Sequence, residues 1–229
     1  SPALTPDRRR EIGERIVVAL RQIGYRNAGT IEMLLDPDAP VGPENPDGAG
    51  ALYFMEMNTR LQVEHPVTEM VAGLDLVAWQ LKIAANHELS LRQDDVTLTG
   101  HALECRINAE DPDNDFTPSP ATLSEVSVPE DWLRFAPRSA DATSAVRLDS
   151  HIQAGYQIPP YYDSMLGKLI VYSPDRKTTI SNMGEALNRL TLSGEGLRTT
   201  IPLHQRILQS DAFQTGTYDT RFLPELLAT

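Results

Sequence analysis

The stretch EMNTRLQVEH, residues 56–65, places Glu56, Asn58, Arg60, Gln62 and Glu64 at every second position. In an extended chain successive side chains point to opposite faces, so these five would share one face. Carboxylates attract hard cations such as Mg²⁺, which protein carboxylates commonly share with substrate phosphates. A guanidinium presents a planar fork that suits a carboxylate, a carbonate or a phosphate. An acid beside such an arginine can deprotonate the oxyanion it holds, or an attacking water. The same spacing also suits an outward polar sheet face. Arg60 and Glu64 would then form a surface ion pair worth well under about 1 kcal/mol. Against that, Asn and Glu are poor strand formers.

Such a row needs a strand and a partner. ALYFMEMN (51–58) reads as one strand and AGTIEMLL (28–35) as another. The segment between them, 36–50, has four prolines and three glycines and must be a loop. The simplest pairing is an antiparallel hairpin that brings Glu32 beside Glu56. Two carboxylates that close repel unless a cation sits between them. Upstream, Thr5, Pro6 and Asp7 read as a helix start, and Gly24 can end that helix. Downstream, Pro66 should end the extended run. Residues 67–86 read as a helix broken at Gly73, with Asp75 capping the second piece. Strand-like alternation runs from about Thr97 to Tyr172, around a Pro, Asp and Ser-rich segment at 111–145. Helical spacing returns after that, and a domain boundary is placed near residue 98.

With these residues in view, the chain resembles a known family. Glu-x-Asn-x-Arg after a strand, with another strand glutamate upstream, resembles the ATP-grasp ligases. EMNTRLQVEHPVTEM narrows the resemblance to the biotin carboxylases, and it continues through GHALECRINAEDP, FTPSP and GYQIPPYYDSMLGKLIVY. The wording looks closer to acyl-CoA carboxylases than to pyruvate carboxylase, and most like the bacterial acetyl-CoA carboxylase subunit. The resemblance implies an α+β fold. Residues 1–98 would be the C-terminal part of an ATP-grasp domain, and 99–229 a mixed-sheet biotin carboxylase C-terminal domain. It implies that the parent enzyme carboxylates biotin with Mg-ATP and bicarbonate through carboxyphosphate. Glu32, Glu56 and Asn58 would hold Mg²⁺, or Mn²⁺ in its place. Leu34 would line the adenine pocket. Arg60, Gln62 and the Val63 backbone would hold bicarbonate, and Glu64 would deprotonate it. Arg106 would stabilise the biotin anion, an oxyanion-type role. Asp163 would lie near the biotin ureido group, and Arg147 near a dimer interface. Implied partners are a biotin carboxyl carrier protein or domain, a carboxyltransferase and a second copy in a homodimer.

Composition bounds the alternatives. A net charge of −12 argues against whole-surface attraction to nucleic acid or an anionic membrane. The longest apolar runs fall far short of the ~20 residues of a membrane span. A single cysteine, Cys105, permits no intrachain disulfide and favours the cytoplasm. It alternates with Glu104 and Arg106 and reads as a small buried hydrophobe. DPDNDF (111–116) opens like a calcium loop but has Phe116 at its sixth position and Thr122 at its twelfth, so calcium is not expected. The histidines show no zinc spacing with Cys105. GAGAL (48–52) lacks the strand–helix context of a nucleotide fingerprint.

The chain departs from the family pattern in places. FAPRSADATSAVR has no glycine where the family has a glycine-rich loop. Ala121 replaces a usual Gly, and Thr200 a usual Asn. The opening SPALTPDRRR has no starting Met and reads as a piece of a longer protein. The family's N-terminal domain and phosphate-gripping lid have no counterpart in these 229 residues, so no carboxylase activity is expected of this stretch alone. Two rival readings are another ATP-grasp ligase, such as a carbamoyl-phosphate synthetase, and a non-catalytic dimerisation module.

Overall fold

A computed structural model describes residues 3–42, 45, 48 and 50–228. Of the 36–50 loop, residues 43, 44, 46, 47 and 49 lie outside the described residues. The chain forms two compact units, Ser1–Gln62 with Leu76–Ser90, and Val63–Asp75 with Leu91–Thr229.

The first unit opens with helix α1 (Pro6–Gln22). Its cap is Thr5, whose hydroxyl accepts the Arg8 N–H at 3.2 Å. Strands β1 (Thr30–Asp36) and β2 (Ala51–Asn58) form the expected antiparallel hairpin. Its register sets Glu32 directly opposite Glu56, and a bulge follows between Glu32 and Met33. Helix α2 (His65–Ala72) comes next in the chain and belongs to the second unit. It ends at Gly73, whose φ of +67° is the left-handed C-cap conformation that glycine adopts at no steric cost. The chain then returns to the first unit as helix α3 (Leu76–Ala84).

The second unit is built on a three-stranded antiparallel sheet. The remaining strands, in chain order, are β3 (His101–Asn108), β4 (Glu110–Asp111), β5 (Thr117–Pro118), β6 (Leu123–Ser127), β7 (Ala145–Ser150), β8 (Met165–Ser173) and β9 (Thr191–Gly194). The helices are α4 (Arg176–Arg189), α5 (Ile201–Gln209), α6 (Asp211–Thr215) and α7 (Phe222–Leu227). The main sheet runs β3-β8-β7, and a parallel bridge joins Leu133 to Arg147 at its edge. β8 is central and covered on both faces, so MLGKLIVYS reads as a nearly unbroken apolar run. On one face Cys105, Ile107, Leu148, Leu169 and Val171 pack with Met183 and Leu187 of α4. On the other, Ala102, Ile170 and Tyr172 pack with Met70 of α2. That second face also carries the charges treated below.

Cys105 is buried as expected, and burial pushes its thiol up to about 12. Among the described residues no helix is long and apolar enough to cross a membrane.

Candidate functional site

In the first unit the two facing glutamates are joined by an amide. Asn58 Nδ2 donates to Oε1 of Glu32 and to Oε1 of Glu56, both at 2.9 Å. Gln62 Nε2 reaches the same Glu32 oxygen at 2.8 Å. The strand alternation is what places Glu56 and Asn58 on one face. The expected five-residue row does not form, however. β2 stops at Asn58, because β1 begins at Thr30 and the backbone ladder extends no further. These residues instead bend and turn into α2, with Pro66 in its first turn. Arg60 is exposed and its Nη1 donates to the Leu61 carbonyl at 2.9 Å. Leu34 lies on β1, exposed, opposite Tyr53.

The donor set fits a magnesium ion. Two hard carboxylates face each other, with an amide between them whose oxygen could join once the amide turns. Mg²⁺ typically takes one or two protein carboxylates and fills the rest of its shell with water and phosphate. Among the described residues no cluster of three or more His, Cys, Asp or Glu is arranged to hold a metal.

In the second unit the chain emerges from the turn as Val63 and Glu64. Glu64 is half-exposed, and its Oε2 accepts Arg106 Nη2 at 2.8 Å. Arg106 therefore takes Glu64 as its partner rather than Glu104 of its own strand or Glu110 of β4. The backbone of Arg106 is pinned from behind. Its carbonyl accepts the Thr200 hydroxyl at 3.0 Å and lies 2.8 Å from His204 Nε2. The Thr200 oxygen also accepts the Asn108 N–H at 3.0 Å, so the residue that departs from the family pattern ties β3 to α5.

Sequence reasoning placed Arg147 only near a dimer interface and missed the network of charges beneath this pair. Arg106, Lys168 and Asp149 are register partners across β3, β8 and β7, so they share one face. Lys168 Nζ donates to the Val63 carbonyl at 2.9 Å and lies 3.8 Å from Asp149. Asp149 receives Nε and Nη2 of Arg147 at 2.7 and 2.6 Å, and Arg147 Nη1 reaches Glu69 of α2 at 2.7 Å. Arg147, Glu69 and Asp149 are at most 4% exposed. The one usable signal was a lysine inside the apolar run of β8. Glu104 lies on the same face, and both its oxygens are buried without a hydrogen-bond partner. Desolvation pushes its carboxyl up to about 7, against the opposing pull of Lys168 and Arg106. Asp163 sits just ahead of β8, exposed, accepting the Met165 N–H at 2.8 Å.

The segment with no glycine, 133–145, is fastened by the buried Arg138. That side chain donates to the Met70 carbonyl at 2.8 Å and to Thr99 Oγ1 at 2.5 Å, and lies over the Tyr172 ring at 4.2 Å. The loop makes its left-handed turn at Phe135, φ +49°.

Residues 104–225, more than half the chain, match the family model of the biotin carboxylase C-terminal domain. The chain belongs to the biotin carboxylase family. Residues 1–92 match the model of the carbamoyl-phosphate synthase L chain ATP-binding domain. A biotin carboxylase of Nostoc sp. is 49% identical over 226 residues, covering 99% of this chain and 45% of the relative. A pyruvate carboxylase subunit of Methanothermobacter thermautotrophicus is 41% identical, covering 98% and 40%. A solved neighbour is the biotin carboxylase domain dimer of the Hydrogenobacter thermophilus 2-oxoglutarate carboxylase, in complex with MgADP, ADP and bicarbonate. It superposes with a TM-score of 0.82 at 40% identity, over 99% of this chain and 45% of that one. The chain thus spans a little under half the length of these relatives. The α+β fold expected from the sequence is the fold these biotin carboxylase domains share. The carbamoyl-phosphate synthetase alternative is left with only the ATP-binding match over residues 1–92.

Proposed function

We propose that this chain supplies the catalytic base, the arginine that steadies the biotin anion and part of the nucleotide site of an enzyme that carboxylates biotin, using ATP and bicarbonate. The observation that carries the reading is the 2.8 Å pair between Glu64 and Arg106, two residues 42 positions apart. In the first unit Glu32, Glu56 and Asn58 would hold Mg²⁺, Leu34 would meet the adenine, and Arg60 and Gln62 would orient bicarbonate. A cation held there would supply neutralisation of phosphate charge. In the second unit the Val63 backbone assists with bicarbonate, and Asp163 approaches the biotin ureido group.

Glu64 takes the bicarbonate proton. The freed oxyanion attacks the γ-phosphorus, the bond to the β-phosphate oxygen breaks, and ADP leaves. Carboxyphosphate then splits into CO₂ and phosphate beside biotin, the phosphate takes the ureido N–H proton, and the biotin nitrogen anion attacks CO₂ to give carboxybiotin. Protonation of Glu64 cancels the charge that holds Arg106, so the guanidinium becomes available to the biotin anion at the step that needs it.

We further propose the domain division 1–98 and 99–229, a homodimer, a biotin carboxyl carrier and a carboxyltransferase as partners, and acetyl-CoA or another acyl-CoA as final acceptor in the cytoplasm. The dimer is supported by the dimeric solved neighbour, and the reducing compartment by the one, buried cysteine. The test is ATP hydrolysis by the intact enzyme, with and without bicarbonate and free biotin, for wild type and Glu64→Ala. ADP release should require bicarbonate, rise with biotin and collapse in the variant. ADP release indifferent to both additions would reject the reading.

A further inference from the structure

Glu64 works as a base only if the turn that carries it is held still. That turn lies between the end of β2 and the start of helix α2, outside any strand ladder. Something outside the turn must fix it.

Adjacent groups on one rung of the sheet do so. Arg106 and Lys168 are directly opposed on β3 and β8. Arg106 grips the Glu64 carboxylate, and Lys168 grips the carbonyl of the residue before it, Val63. Two neighbouring cations thus clamp two neighbouring residues. The Lys168 side chain is 13% exposed and has a second neighbour in Asp149, its register partner on β7. From Asp149 the connections run through Arg147 to Glu69 of α2, the helix that begins just after Glu64. The circuit closes: turn, helix, Glu69, Arg147, Asp149, Lys168, turn. A lysine ammonium donating to a carbonyl gives a charge-assisted bond, roughly twice the strength of a neutral one. A misplacement of about 1 Å at a reacting group can cost on the order of 100-fold in rate.

We infer that Lys168 is a positioning residue for the base, fixing the Val63 carbonyl so that Glu64 meets bicarbonate in a productive geometry. The inference rests on the reading of Glu64 given above. Lys168 acts through the Val63 carbonyl that it holds. It is a better candidate for this task than Arg147, whose side chain is confined to the buried carboxylates.

The experiment uses the intact carboxylase with Lys168→Met, Lys168→Gln and Lys168→Arg, and Glu64→Gln in parallel. Bicarbonate-dependent and ATP-dependent steady-state kinetics are measured with thermal unfolding. For Lys168→Met, kcat/KM for bicarbonate should fall about 10- to 100-fold, while KM for ATP stays within about twofold. Lys168→Arg, which keeps a cationic donor, should recover most of the loss. If the Met variant fails to fold, the Gln and Arg variants decide the matter, with Gln impaired and Arg largely restored. Wild-type bicarbonate kinetics in the Met or Gln variant, beside an inactive Glu64→Gln, would overturn this inference and leave the proposed function standing. A rise in KM for ATP matching the loss toward bicarbonate, with activity tracking the fall in melting temperature, would also overturn it, because it marks a purely structural lysine. Undiminished bicarbonate-dependent turnover in Glu64→Gln would instead remove the base assignment, and this inference with it.

Discussion

Arg147→Met removes the cation from a site where two carboxylates have almost no access to water. The wild-type guanidinium makes three charge-assisted bonds of 2.6–2.7 Å, two to Asp149 and one to Glu69. Burial works against its charge, but the two carboxylates outweigh burial and raise its pKa above the usual arginine value. Methionine fills much of the same volume, so the loss is chiefly electrostatic. Breaking a buried pair by removing one partner costs about 3–5 kcal/mol, because the other charge stays behind unpaired. Lys168, 3.8 Å from Asp149, softens the effect there. A cost of roughly 3–4 kcal/mol is therefore expected. For a domain of this size that corresponds to a melting temperature lower by about 6–16 °C. Urea denaturation of the intact protein, followed by calorimetry, measures both. Adding Glu69→Gln to Arg147→Met should recover part of the loss, since one of the stranded charges disappears. A cost below about 1 kcal/mol would refute the reasoning, because that is the value of an exposed pair.

Glu104 predicts a pH slope. Its carboxyl is raised by burial from near 4.5 to about 7, so the folded state favours the neutral acid. Its contribution is fully present below the unfolded pKa and is lost as pH rises through about 7. Glu104→Gln should therefore flatten the decline in melting temperature between about pH 4.5 and 7; an unchanged slope would contradict the assignment. Phe135→Gly should stabilise by about 0–1 kcal/mol in thermal denaturation, since the φ of +49° costs a phenylalanine more than a glycine. Thr200→Val should cost about 1–3 kcal/mol in chemical denaturation, because the Asn108 N–H and the Arg106 carbonyl both lose the hydroxyl.

The hairpin was legible because strand alternation and a proline-rich loop define it locally, and antiparallel closure sets Glu32 against Glu56. The helix break at Gly73 was equally local. The shape of residues 59–64 was not legible. Alternation continues through Glu64, and only the start of β1 at Thr30 tells the chain to stop being a strand. The Glu64–Arg106 pair was hidden by sequence distance; a charged residue in a strand names no partner. The charges of Glu69, Arg147, Asp149 and Lys168 are buried together, and composition treats each as a surface residue. The absence of glycine in 133–145 was visible, whereas its consequence, a left-handed Phe135 and an anchoring Arg138, depends on contacts with Met70, Thr99 and Tyr172.

The most direct test of the account is transfer of label from radioactive bicarbonate to biotin by the intact enzyme, comparing wild type, Glu64→Gln and Arg106→Gln. The account predicts ATP-dependent labelling in the wild type, no ADP release and no labelling in the Glu64 variant, and ADP release uncoupled from labelling in the Arg106 variant. Labelled biotin at the wild-type rate in either variant would contradict it.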